Sequence, residues 1–440
     1  MPGAANELDS RRPTPMKSSC SFEIGEQDSV DIRGKPANHP LAWRMALIAF
    51  LAQNTAAGIA IGSFGVLLAP LEAKMGVGRQ LSSLGLPLAA LGMALLSPVV
   101  GSLAARFPLR WIMISGAVMN AAGYGVLAGA GTITTSLLAY GLLVGPGVAL
   151  LGTVAPATLV SRWFVIHRGR GLGIVNMPLL TTVTPLGVIV LLRVGGLSLT
   201  YATMATSFIA LLVPLWFVID YPPSAGDPSG ADLAVETAVN PGLSTGQLLQ
   251  SVRYWVLILA VAAIGAGAAI LYTHLVPMTM GWGLDAGHAA LLIGALGAAG
   301  ILGSVVFGWI ADRLGGGWAT AINCWAQALL WSLLLLRPTY PVLLLLIALI
   351  GVGLGAIATT IGVALSELFG PASFGRGYGL SALITLPFVA SAAPLAGLIF
   401  GRTGSYAGVL TLQVGIFVAG AILAMTVLRG SPRAESSAAF

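Results

Sequence analysis

Charge is what this 440-residue chain has least of. Only 8% of its residues are Asp, Glu, Lys or Arg, against about 25% in a soluble globular domain. The charges also cluster, and windows such as 112–160 and 314–336 hold none. A fold solvated on all sides is excluded. Cysteine is scarce as well: Cys20 and Cys324 are too few and too far apart for a disulfide framework or a thiolate metal site. No His or Cys pair stands at metal-ligand spacing, and no glycine loop precedes Lys-Ser or Lys-Thr. The string GVGLG at 351–355 lies inside an apolar run and is no dinucleotide loop. No Ser-His-Asp set can be assembled. The sequence therefore predicts neither an enzyme nor a cofactor.

What fills the chain is hydrocarbon. Fully 57% of the residues are hydrophobic and the mean hydropathy is +0.91. Apolar runs of about 18 residues or more read as membrane spans. Twelve occur, near 43–71, 80–104, 110–130, 133–160, 170–194, 197–219, 253–280, 287–311, 316–336, 340–366, 375–400 and 405–428. Each must be helical, because hydrocarbon offers no water to backbone N–H and C=O groups. A barrel would alternate in short segments. The fold class is thus an all-α membrane protein of twelve transmembrane helices. Segment 1–42 is a polar tail with no secretory apolar core. Residues 43–219 form one set of six spans, 220–252 a proline-bearing linker, 253–428 a second set, and 429–440 a short tail.

The net charge of +6 is not a nucleic-acid signature, because of where the cations sit. With the N-terminus inside, every Lys and Arg except Lys74, Arg79, Arg193, Arg337 and Arg402 falls on the cytoplasmic side. That bias places both termini in the cytoplasm. The expected setting is a bacterial inner membrane, with lipid and a small solute as partners and no oligomer required.

The chain also repeats itself. GSLAARFPLRW at 101–111 and GWIADRLGG at 308–316 stand 207 residues apart. Pro70 and Pro277 share that offset. RGLGI (170–174) and RGYGL (376–380), Pro185 and Pro394, and VGPG (144–147) and VGLG (352–355) recur at 206 to 209. Matches in chain order at one offset predict two parallel six-helix bundles, the arrangement of alternating-access transporters, with the solute between them near mid-membrane. Gly101 and Gly308 fit close helix approach. Arg106, Asp312 and Arg313 are candidate gate residues, with Asp312 and Arg313 pairing across helix ends or serving as topology anchors. Ala105 stands where the second copy has its acid; restoring an acid there is expected to strengthen a latch.

GWIADRL resembles the loop phrase G-x-L-a-D-r-x-G-r-r of the major facilitator superfamily, and GSLAARFPLR resembles it with Ala105 in place of the acid. The strings at 62–83, 161–174, 272–278, 374–380 and 397–406 are similar to the monocarboxylate-porter and oxalate/formate-antiporter branch. The resemblance implies the two-bundle fold and solute transport. It does not bring that branch's carboxylate clamp. Span 1 has no Lys or Arg between Arg44 and Lys74, and span 8 has none, with Ser304 about where an arginine would stand.

Well inside the spans, His274 is the one side chain of a type that titrates near neutral pH, with Tyr272 beside it in sequence; an ionisable residue at that depth is a functional candidate. A neutral, hydrogen-bonded His is the alternative. The resemblance places spans 1, 4, 7 and 10 around the cavity, with spans 2, 5, 8 and 11 beside them, which makes Asn54, Asn176, His274 and Thr360 the leading polar candidates. Arg193 ends span 5, either snorkelling to headgroups or attracting anions. Proton-coupled uptake of a small, monocarboxylate-like organic acid by alternating access is the expected function; export or carriage of a larger, weakly polar or amphipathic compound is the alternative.

Overall fold

The computed structural model describes residues 38–164, 166–223 and 242–427. Nearly all of the expected N-terminal tail, the middle of the linker and the tail from 429 lie outside the described residues. Among the described residues, nine continuous helical stretches are long and apolar enough to cross a membrane. Two of them fold back at glycines. Gly195 and Gly196 leave helical geometry within 168–216, with Gly196 at φ 68°. Gly370, at φ 75°, does the same within 340–403, and Pro371 opens the next leg. Positive φ is the conformation that glycine adopts without a Cβ penalty, and proline suits a first helical position. With Gly316–Leu334 the legs number twelve: α1 (42–75), α2 (Gly85–Leu103), α3 (Leu109–Gly129), α4 (133–163), α5 (168–194), α6 (197–216), α7 (Val252–Met280), α8 (Ala286–Leu314), α9 (Gly316–Leu334), α10 (340–369), α11 (371–403) and α12 (Ala407–Val427).

The starts of α1 and α7 and the ends of α6 and α12 lie on one face, called here the termini face. The linker is more structured than its sequence predicts. Thr245–Gln250 is a short helix with a Ser244–Gln247 capping box, and Leu243 N–H donates to Ser373 Oγ at 2.9 Å.

Each carboxylate that meets a helix start at the termini face satisfies an orphan N–H there. Asp220 accepts from Leu109 N at 2.7 Å and from Arg162 at 3.1 Å, while Arg162 also donates to the Ala104 carbonyl. Arg110 and Trp163 donate to the carbonyls of Val218 and Ile219. These bonds tie the ends of α2, α3, α4 and α6 into one block. In the other half Glu367 accepts from Gly316 N at 2.7 Å, capping α9.

The two halves meet backbone to backbone near this face. A Cβ on Gly101 would lie 2.2 Å from the Gly375 carbonyl oxygen, and one on Gly379 2.2 Å from that of Ser97, joining α2 to α11. A Cβ on Gly308 would lie 2.3 Å from the Gly169 oxygen, and one on Gly173 2.5 Å from that of Ser304, joining α8 to α5. The glycines of the repeated phrase, Gly101 and Gly308, thus do the same work in the two halves. Gly308→Ala and Gly101→Ala should each push the paired backbones apart by about 1 Å to regain ordinary contact. Pulsed distance measurements between spin labels on the termini face should then show a larger long-distance population. Unchanged distributions in both variants would contradict this close-packed seal.

Candidate functional site

Where α8 crosses α5, the carboxylate of Asp312 reaches into the other half. Residue 167 adopts left-handed geometry (φ 55°), so that α5 starts abruptly at Arg168 with no side-chain cap of its own. Its second and third residues, Gly169 and Arg170, point their N–H groups at Asp312, at 2.5 and 3.0 Å. The Asp312 side chain is half-buried, at 9% exposure, and the Arg170 guanidinium stands 3.7 Å away. This is a helix N-cap supplied by the opposite half, strengthened by the charge of the acid against the helix dipole. Asp312 thus meets its partners across the helix ends, in the other half, whereas Arg313 does not. Arg313 instead lies over the Trp309 ring, one turn back on its own helix, at 3.7 Å. Arg106 is exposed and makes no hydrogen bond or ion pair among the described residues. Sequence reasoning missed Gly169 and Arg170 as partners, although their string had been matched to its repeat at 376–380.

The missing acid at 105 has a structural reason. Its counterpart partners would be Gly375 and Arg376. Because α11 already starts at Pro371, these are its fifth and sixth residues, past the turn whose N–H groups lack internal partners. An acid at 105 would find no free N–H to accept. Arg376 is engaged elsewhere, donating to the Leu243 carbonyl at 3.2 Å.

Deeper in, Asn54 and Asn176 come together. Asn54 lies about 18 Å along α1 from Ala42 at the helical rise, near the middle of a hydrocarbon core about 30 Å thick. At that level α5 is broken. Asn176 closes the segment Arg168–Val175 with φ −87° and ψ 2°, and the helix restarts at Leu179 after Pro178. Asn54 Oδ1 accepts from the restarted segment at Leu180 N, 3.1 Å. Gln53 donates to Asn176 Oδ1 at 2.7 Å, and Asn176 donates to the Leu172 carbonyl at 2.9 Å. Beyond Asn54, α1 widens into a π turn at Gly58–Gly62, where both glycines lie against the backbone of Leu180 and Thr181. A second π turn, Ala149–Thr153 in α4, brings Gly152 against Ala56. Such turns gather at functional sites, and broken helices at mid-membrane are where transporters hold solutes.

His274 is not part of this seam. Its Nε2–H donates to the Ala393 carbonyl at 2.9 Å, and Nδ1 accepts from the Tyr406 hydroxyl at 3.1 Å. A neutral ring with its proton on Nε2 satisfies both bonds. It therefore ties α7 to α11 and to the start of α12. Tyr272 is exposed, and its position two residues away turns it to another side of α7. Arg193 is exposed at the far end of α5. Thr360 is buried and bonds to its own helix at Ala356 and Ile357, whereas the buried Thr359 hydroxyl has no partner.

Removing the trans cap has a calculable effect. Asp312→Ala should cost the joined state about 1–2 kcal/mol, a shift of about five- to thirtyfold toward molecules parted at the termini face. Arg170→Ala should cost under about 1 kcal/mol, since that side chain is 42% exposed. Ala105→Asp should leave the balance unchanged. Distances between labelled α5 and α8 ends report all three, and a loss in Arg170→Ala equal to that in Asp312→Ala would refute the cap.

Comparison with known proteins agrees with this architecture. Residues 47–336 match the Major Facilitator Superfamily. The chain is 27% identical to monocarboxylate transporter 13 of Bos taurus over 421 residues, covering 90% of this chain and 91% of that one. It is 26% identical to the uncharacterized MFS-type transporter YcxA of Bacillus subtilis, over 58% of this chain and 61% of that one. Among solved structures, the proton:xylose symporter XylE superposes with a TM-score of 0.67 at 14% identity, over 88% of this chain and 95% of that one. A bacterial homologue of the iron transporter ferroportin in an outward-facing state gives 0.64 at 15% identity, over 89% and 100%. Twelve helices in two like halves, joined at one face through the repeated phrase, are those of a transporter, and this chain belongs to the Major Facilitator Superfamily.

Proposed function

We infer that the protein takes up a small organic acid together with protons, by alternating access. The observation that carries this reading is the one-sided seal. The close approaches of α2 to α11 and of α5 to α8 all lie toward the termini face, and a single half-buried carboxylate caps the opposite half there. Taking the termini face as cytoplasmic, which the placement of the basic residues supports, a path between the halves would open outward. Parting of Gly308 from Gly169 and release of Asp312 from α5 would open it inward. In this reading Asp312 is the gate acid, Arg170 its partner, and Arg106 and Arg313 flank it as basic anchors. Asn54, Asn176 and Thr360 lie toward the solute path, with Tyr272, His274 and Arg193 toward its outer end.

The substrate class rests on the monocarboxylate transporters among the relatives. The proton can enter on His274 or on the solute's own carboxyl group. A second reading, carriage of a weakly polar or amphipathic compound, draws on a cleft of about 400 Å³ between α7, α11 and α12. Its lining is almost wholly apolar, with Ala262, Ala263, Ala266 and Ala392 along it and Gln413 among its few polar residues.

Purified protein in proteoliposomes should accumulate a labelled monocarboxylate when the outside is made acidic, and should stop when the gradient is collapsed. Flux of organic acids indifferent to the pH gradient would reject proton coupling. Export that protects cells from an amphipathic toxin, without organic-acid flux, would favour the second reading.

A further inference from the structure

The seam between α1 and α5 is fully neutral, yet two of its polar atoms are left over. Asn54 is buried to 2% exposure. Its Oδ1 caps Leu180 N, but its Nδ2 is buried without a partner. Gln53 spends Nε2 on Asn176, but its Oε1 is buried without a partner. One orphan donor and one orphan acceptor therefore sit on consecutive residues at mid-membrane, beside a broken helix. A third comes from the other half. The Leu172–Gly362 approach sets α5 against α10. One turn farther from the termini face along each helix stand Asn176 and Thr359, and the Thr359 hydroxyl is orphaned too. Buried polar groups without partners are rare in native proteins and call for an explanation.

We propose that Gln53, Asn54 and Thr359 bind the solute's carboxyl group in its undissociated form. The inference rests on the organic-acid reading above. Asn54 Nδ2 donates to the carboxyl C=O, and Gln53 Oε1 accepts from the carboxyl O–H. Thr359 serves either atom from the opposite half, so that one solute is held by both. A carboxylate offers acceptors only and would set oxygen against Gln53 Oε1. No Lys or Arg in the interior of α1 or α8 is available to offset its charge, and placing an unpaired ion there is costly. The balance is simple. A carboxylate and one proton combine at the outer mouth, cross as the neutral acid, and separate on the inner side. One proton moves per acid and no net charge crosses. His274, bonded within its own half, is not the proton carrier.

The test uses full-length protein in proteoliposomes, with protein-free vesicles as the blank for passive leak, and follows counterflow of labelled lactate against unlabelled lactate and lactamide. A primary amide carries the same donor and acceptor pair but needs no proton. The KM for total lactate should rise about tenfold per pH unit above the carboxyl range, also in His274→Ala. The inhibition constant of lactamide should stay flat over the same pH range. An imposed membrane potential should leave lactate accumulation unchanged. Gln53→Leu and Asn54→Leu, checked for an unaltered melting profile, should weaken lactate and lactamide alike by about tenfold or more. Lactamide failing to compete, a KM independent of pH, or full affinity in both variants overturns the proposal while leaving transport intact. No lactate counterflow at any pH removes the organic-acid reading along with it.

Discussion

One carboxylate in one place organises this molecule. Asp312 of α8 holds the first turn of α5, a helix belonging to the other half. The first N–H groups of a helix have no partner within it, and α5 has no side-chain cap of its own. The acid that completes α5 is therefore also the acid that holds the halves together. In the proposed cycle, release of one would expose the other, since the same two N–H groups serve both purposes.

The same constraint explains where nearly all the described acids are. Asp220 serves α3, Asp285 serves α8 through Gly287 and His288, Asp312 serves α5 and Glu367 serves α9. At Asp285, which is exposed on the far side, the hydrogen bond from His288 holds the carboxyl below its ordinary range. With so few acids among the described residues, these four are all spent on helix starts. Contacts between the halves are then left to small residues, whose backbones touch directly.

Much of this was legible in sequence, because membrane spans are written in hydropathy and the two halves in recurring glycines and prolines. Gly101 and Gly308 were found as a repeated phrase and turn out to be equivalent contact points. The pairing of Asp312 was not legible. Its partners are backbone N–H groups of the other half, which no side-chain pattern records. Ala105 shows the same limit: its meaning depends on α11 starting at Pro371, three residues ahead of the start its repeat in α5 implies. In sequence Asn54 and Asn176 are only polar residues of spans that the family resemblance sets by the cavity. What joins them is the break at Asn176–Pro178, of which Pro178 is the sign in sequence. Depth and chemistry mark His274 in sequence, and only the fold reveals that Ala393 and Tyr406 occupy both its nitrogens.

The pinned ends of the linker carry a mechanical consequence. Tyr221 lies under the Arg162 guanidinium in the first half, and Leu243 is fastened to Ser373 and Arg376 in the second. The chain between those anchors could stretch to about 70 Å before going taut, many times the few ångströms by which rocking helices slide. A connection of that length sets no limit on such a stroke. The extent of the movement is left to the surfaces that touch.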